Sequence, residues 1–264
     1  MNTLFFLKLT ISFIIGGLWV VLATTLADKF GPKVGGLVAG LPFTVMFGLF
    51  FIAWTQSPSV AVSATTIIPI IGGINCVFLL SYVYLVKKRL WLSLLASFFI
   101  WFALSFLLVV VKFDNYLFSV VGYFILLGVS YYFMEHKLKI KSVVGKKIKY
   151  NSTTLVLRAL LSGTVVVFIV FIGKVGGPIF GGLFAAFPAM FTSTLLITYF
   201  SHGPDFSSAI VKSSMIGGVS ITLYSMVVRY TYVPLGIGLG TIISILISFS
   251  SGYLIYNYIL KKLN

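Results

Sequence analysis

Acidic side chains are nearly missing from this chain. Its 264 residues hold 4 Asp and Glu against 19 Lys and Arg, and 2 His. So few acids and histidines leave little for acid–base chemistry. No H-E-x-x-H, G-x-S-x-G, phosphate-binding glycine loop or Cys/His metal spacing occurs. An enzyme is therefore not expected, nor a cofactor, nor a metal. The single cysteine, Cys76, excludes an internal disulfide. Charged residues make up 9% of the chain, where a soluble domain carries about 25%. That excludes an ordinary soluble globular protein. Disorder is excluded by the opposite property, because 59% of the residues are hydrophobic. The mean hydropathy is +1.12. What the chain has in quantity is apolar and aromatic, including 26 Phe and 14 Tyr. The fold class expected is all-α, a polytopic bundle of transmembrane helices.

A spanning helix needs about 20 mainly apolar residues. Nine stretches qualify: 4–27, 34–54, 60–86, 90–111, 116–134, 153–174, 178–200, 206–228 and 234–260. Between them lie Gly31-Pro32, Pro58, Lys87-Lys88-Arg89, Asp114-Asn115, Gly177-Pro178, Gly203-Pro204 and Pro234. Gly and Pro stop helices, and charge resists the bilayer core. Trp54, Trp91, Tyr131, Tyr132 and Tyr232 fall near span ends, where amphipathic rings settle. The first stretch has no basic start and too long an apolar run for a signal peptide, so it is expected to remain as a mature helix.

Nine spans put the termini on opposite sides. The side opposite the N-terminus collects Lys29, Lys33, Lys87, Lys88, Arg89, Lys137, Lys139, Lys141, Lys146, Lys147, Lys149, Lys261 and Lys262. The N-terminal side collects Lys112, Lys174 and Arg229. Basic residues favour the cytoplasmic face. The expectation is a multi-pass cell-membrane protein, N-terminus outside and C-terminus cytoplasmic. The same placement argues against nucleic acid as a partner, because the charge is spread over helix ends. Membrane lipids, an unidentified small solute and further copies of the chain are the partners expected.

The chain also repeats itself. Residues 31–42 read GPKVGGLVAGLP and residues 177–188 read GPIFGGLFAAFP, an offset of 146. With a one-residue slip, Ser63-Ala64 and Ile71-Gly72-Gly73 recur as Ser208-Ala209 and Ile216-Gly217-Gly218. The organisation expected is therefore two copies of four helices, residues 1–112 and 153–264. Residues 113–152 supply a linking fifth helix and a basic loop. An odd number of spans before the second copy inverts its topology, as in many secondary transporters, where each copy supplies half of a midplane site. Gly31 and Gly35, Gly36 and Gly40, Gly177 and Gly181, and Gly182 and Ala186 are small residues four apart. Such pairs let helix backbones approach closely in lipid. Pro42 and Pro188 fall inside their spans, where each removes a backbone donor and frees a carbonyl. Matching Gly/Pro interruptions in two halves point to a binding site, with a structural kink as the alternative.

The pattern of a small-residue helix ending in Ala-x-x-Pro, followed by an apolar helix, occurs in GLVAGLPFTVMFGLFFIAW and GGLFAAFPAMFTSTLLITYF. It resembles the short GlpM-like integral membrane proteins, which have about four helices and no known activity. The likeness covers about a quarter of the chain. It implies a self-associating or duplicated membrane unit, and no reaction or catalytic residues.

Asp28, Asp114, Glu135 and Asp205 all lie at span ends, which argues against a carboxylate relay through the membrane core. Arg158 and Lys212 lie about five and seven residues into their spans. Both are expected to snorkel back to the interface. The alternative is a shared anion site, with Asp205 as partner of Lys212 seven residues on along the same face. Thr192 lies four residues after Pro188, and Thr44 two after Pro42. Their hydroxyls either ligate a solute or satisfy the carbonyls that the prolines free. The substrate-site candidates are thus Pro42, Thr44, Arg158, Pro188, Thr192, Asp205 and Lys212. The leading function is a transporter or permease for a small solute, weakly an anion. A lipid translocase, or a membrane subunit that only assembles with partners, is the alternative.

Overall fold

A computed structural model of the chain describes residues 3–28, 41–140, 151–255 and 257–258, with backbone alone at 19–28 and Thr154. Gly31, Pro32, Gly35, Gly36 and Gly40 lie outside the described residues, as do the basic residues 141–149, 261 and 262. All regular structure that is described is helical. The elements are α1 (Thr3–Asp28), α2 (Phe43–Thr55), α3 (Pro58–Ala64), α4 (Ile68–Val86), α5 (Leu90–Val110), α6 (Tyr116–Tyr132, continued by a π-turn over Phe133–Lys137), α7 (Ser152–Gly176), α8 (Pro178–Ala185), α9 (Ala189–His202), α10 (Pro204–Gly217) and α11 (Val219–Ile255).

Local chemistry sets most of these boundaries. Pro58, Pro178 and Pro204 open their helices, where the missing N–H has no intrahelical partner to lose. Gly177 and Gly203 precede two of them at φ +89 and +83, a region that side chains with a Cβ rarely enter. The Asn115 side chain caps α6 by accepting from the Phe118 amide at 3.0 Å.

Several expected spans are broken. Residues 65–67 interrupt 60–86, residues 186–188 interrupt 178–200, and Gly218 interrupts 206–228. In 34–54 the described helix begins only at Phe43. Among the described residues, six stretches are long and apolar enough to cross a membrane, which is compatible with a multi-pass membrane protein. One of them, Pro204–Ile255, has 52 residues. Straight, it would reach ~78 Å, more than twice a bilayer core of about 30 Å. It folds back instead. Gly236 adopts φ +76, ψ 170 two residues after Pro234. Ser248 Oγ then donates to the Ser220 carbonyl at 2.9 Å, a pair that a straight helix would hold ~42 Å apart.

Two pairings run antiparallel. In α1 against α7, Gly17 lies on the Ala159 carbonyl, Gly163 lies on that of Phe13, and the Lys174 ammonium sits 3.7 Å from the Phe5 ring. In α4 against α11, Gly72 faces Thr222 while Arg229 reaches Thr65 and Thr66 just before α4. The linking helix α6 runs parallel to α4, with Ser119 Oγ accepting from the Ile70 amide at 3.0 Å.

The interior is built from Leu49, Ile52, Ile68, Ile71, Phe78, Trp101, Ala185 and Tyr224. Helix α5 turns Ser93, Ser97, Trp101 and Ser105 inward and exposes Phe99, Phe102, Phe106 and Leu107. Small residues inside and large apolar ones outside is the pattern of packing in lipid, where close backbone approach replaces hydrophobic drive. Tyr232 does not sit at an interface as its place near a span end suggests. It is fully buried and shares hydrogen bonds with Thr241 at 2.9 Å and Tyr224 at 3.3 Å.

Candidate functional site

The two prolines of the repeat have nearly the same backbone conformation, Pro42 at φ −78, ψ 31 and Pro188 at φ −76, ψ 37. Each caps the helix that follows it rather than kinking a continuous one, which corrects the expectation of in-span kinks. The turns match in their bonds. Phe43 N donates to the Leu41 carbonyl at 2.9 Å, and Ala189 N to that of Phe187 at 2.8 Å. A tight turn of this kind diverts an amide that would otherwise continue the helix, so carbonyls upstream lose their partners.

At the second break one released carbonyl finds a partner on another helix. Asn75 Nδ2, in the middle of α4, donates to the Ala186 carbonyl at 2.8 Å. Asn75 Oδ1 accepts from the Trp101 indole N–H of α5 at 2.8 Å. All three residues are buried. The Thr192 hydroxyl donates to the Pro188 carbonyl at 2.8 Å, the second of the two roles open to it. Pro42, Thr44, Asn75, Ala186 and Phe187 surround one void of about 20 Å³, so both breaks face the same point. That volume suits a single water.

Of the small residues in 177–186, two glycines lie at backbone contacts. Gly181 packs on the Cα of Gly173. A Cβ on Gly182 would overlap the carbonyl oxygen of Ala64 at the end of α3. Gly177 supplies the positive φ before α8, and Ala186 supplies the carbonyl that Asn75 holds.

Arg158 does not snorkel. It is buried, 4% exposed, and its Nη2 donates to the Ser193 hydroxyl at 3.0 Å and to the Thr194 hydroxyl at 2.8 Å. Beside it lies a cavity of about 450 Å³ between α7 and α9. Arg158 and Thr192 line it, and so do Asn151, Ser193, Ser201, Leu157, Leu161 and Phe200.

Lys212 does not snorkel either, at 6% exposure. Its partner is not Asp205. The Lys212 ammonium pairs with Glu135, in the π-turn that ends α6, and sits 5.8 Å from the Tyr131 ring. Asp205 pairs with Lys87 at 2.8 Å, both side chains more than 60% exposed. Neither Lys212 nor Asp205 is among the described residues lining the Arg158 cavity, so the shared site is not assembled. Lys8 donates to the Trp54 carbonyl at 2.7 Å. Arg229, expected in a loop, lies in α11. It donates to Thr66 Oγ1 at 3.1 Å and stacks 4.3 Å from the Tyr116 ring. A cation from α10 or α11 thus meets each end of α6, Arg229 at Tyr116 and Lys212 at Glu135.

Asn75, Trp101 and Glu135 were not legible as site residues. Asn75 carried one signal, an amide isolated in the apolar stretch IIGGINCVF, residues 70–78. Glu135 was hidden by its place at a span end. Among the described residues, no group of three or more His, Cys, Asp and Glu comes together.

Residues 9–114 match a family described as a protein of unknown function, DUF3147. That match carries no GlpM-like relationship. No curated protein and no solved structure matches the chain.

Proposed function

We propose that the chain is a multi-pass membrane transporter for a small solute, built from two copies of inverted topology and working by alternating access. The observation that carries this reading is the pair of matched breaks at Pro42 and Pro188 around one small void. Broken helices near mid-membrane are where transporters bind their cargo, because non-helical backbone is tolerated there only beside protein or a cavity. Support comes from the antiparallel pairing of α1 with α7 and of α4 with α11. Each pair joins corresponding helices of the two halves, as a twofold axis in the membrane plane requires. The family match over 9–114 covers nearly the whole first copy, 1–112. The void of about 20 Å³ describes an occluded arrangement. A solute enters when one half rocks against the other and the breaks part. The bias of basic residues toward one side in the sequence favours a cytoplasmic C-terminus.

The test is release of preloaded solutes from proteoliposomes, across organic anions, inorganic ions, polyols and amino acids. At least one solute should leave faster than from protein-free vesicles. Thr44→Val, which puts a methyl in place of the hydroxyl at the void, should slow that release while thermal unfolding in detergent stays nearly unchanged. Release at the protein-free rate for every solute overturns the reading. Movement of a fluorescent lipid between leaflets with no solute release replaces it by a lipid translocase.

A further inference from the structure

We infer that the cavity between α7 and α9 binds an anionic amphiphile of the bilayer. Its phosphate or carboxylate is held by the Arg158 guanidinium, and its hydrocarbon lies along Leu157, Leu161 and Phe200. Four observations carry this.

The first is the guanidinium. A planar fork of five donors matches phosphate and carboxylate oxygens. The Ser193 and Thr194 hydroxyls accept from Nη2 at 3.0 and 2.8 Å and hold the fork in place. The second is size. A cavity of about 450 Å³ lies within the range of ligand sites, about 300–1,000 Å³. The third is the split lining. None of the described lining residues is acidic, and the polar ones are Asn151, Arg158, Thr192, Ser193 and Ser201. Leu157, Leu161 and Phe200 complete the wall and are 61%, 47% and 69% exposed. A hydrated inorganic ion has no use for that wall, whereas an acyl chain arriving through the bilayer does. The fourth is depth. Helix α7 has 25 residues, so it spans ~37 Å and overhangs a bilayer core of about 30 Å by ~4 Å at each end. Arg158 lies six residues from the helix start, ~9 Å along the axis, hence ~5 Å below the edge of the hydrocarbon. A lipid headgroup reaches that level with its chain still in the membrane.

This site is separate from the void between the proline breaks. Binding here and solute release there therefore succeed or fail independently.

The experiment titrates the purified full-length chain in an uncharged detergent with dodecyl phosphate and follows thermal unfolding. Three controls divide the ligand into its parts: inorganic phosphate has the head alone, dodecyl maltoside the chain without charge, and dodecyltrimethylammonium the chain with opposite charge. Dodecyl phosphate alone should raise the unfolding temperature. Arg158→Gln should weaken its apparent affinity at least tenfold. Ile197→Trp, which narrows the cavity and replaces neither hydrogen-bond partner of Arg158 Nη2, should weaken the shift, and it keeps the test open if Arg158→Gln does not fold. An equal shift from inorganic phosphate makes this a free-anion site and overturns the proposal. An equal shift from the cationic amphiphile overturns it as well, as does a shift that survives both substitutions.

Discussion

Replacing Asn75 with leucine keeps the branched shape and heavy-atom count of the side chain and removes both ends of the bridge across the second break. Two buried groups are then orphaned at once, the Ala186 carbonyl and the Trp101 indole N–H, which Asn75 engages at 2.8 Å each. A buried polar group left without its partner costs about 1–3 kcal/mol. Side-chain hydrogen bonds within membrane bundles average about 0.6 and reach about 1.7 kcal/mol. The two orphans together should therefore cost about 1–5 kcal/mol, centred near 2–3. At about 2–4 °C per kcal/mol for a chain of this order of size, the unfolding temperature in detergent should drop by roughly 5–10 °C. A double-mutant cycle separates the two partners. Trp101→Phe removes the indole donor, so in the Asn75→Leu background it should cost about 1 kcal/mol less than in the wild-type chain. Unfolding within a degree of wild type, or strict additivity in the cycle, would refute the view that this amide holds the broken helix together.

Glycine substitutions separate backbone contact from open space. Gly182→Ala should lower stability by about 1–3 kcal/mol or more, because the new methyl overlaps the backbone of Ala64, which has no rotamer to change. Gly128→Ala, with nothing within 4 Å of the added atom, should leave unfolding unchanged or raise it slightly; equal behaviour of the two in thermal unfolding would contradict the packing. For the charges, Lys212→Met alone should destabilise more than Lys212→Met with Glu135→Leu, since the single change strands a half-buried carboxylate. Asp205→Asn should change stability by less than about 1 kcal/mol, because its pair with Lys87 is solvent-exposed; a larger loss would mean that this pair is not a surface one.

The helical architecture was legible because its causes are local. A run of apolar residues must close its own backbone hydrogen bonds in lipid, and proline has no N–H to contribute, whatever surrounds it. Gly177-Pro178, Gly203-Pro204, Pro188 and Pro42 therefore mark real boundaries in the chain. The repeat in GPKVGGLVAGLP and GPIFGGLFAAFP likewise needed no coordinates to be noticed. Where the expectation stopped short was the depth of each interruption. A proline in an apolar run reads equally as a kink or as a break, and the choice depends on whether a neighbour donates to the freed carbonyl, as Asn75 does to that of Ala186.

Partner choice belonged to the tertiary structure. Asp205 and Lys212 share a helical face, yet seven residues separate them by ~10 Å along the axis, beyond the reach of the three- and four-residue spacings that pair side chains. The pairs that form join different helices: Lys212 with Glu135, Asp205 with Lys87, Arg229 with Thr66, and Asn75 with Ala186 and Trp101. Periodicity orders residues around one helix axis and carries no information about which face of another helix will meet them. The sequence by itself determined that there would be long apolar helices and which Gly-Pro pairs would divide them. Only packing decided that Arg158 and Lys212 stay buried, because a long basic side chain snorkels unless a hydroxyl or carboxylate on a neighbouring helix holds it inside.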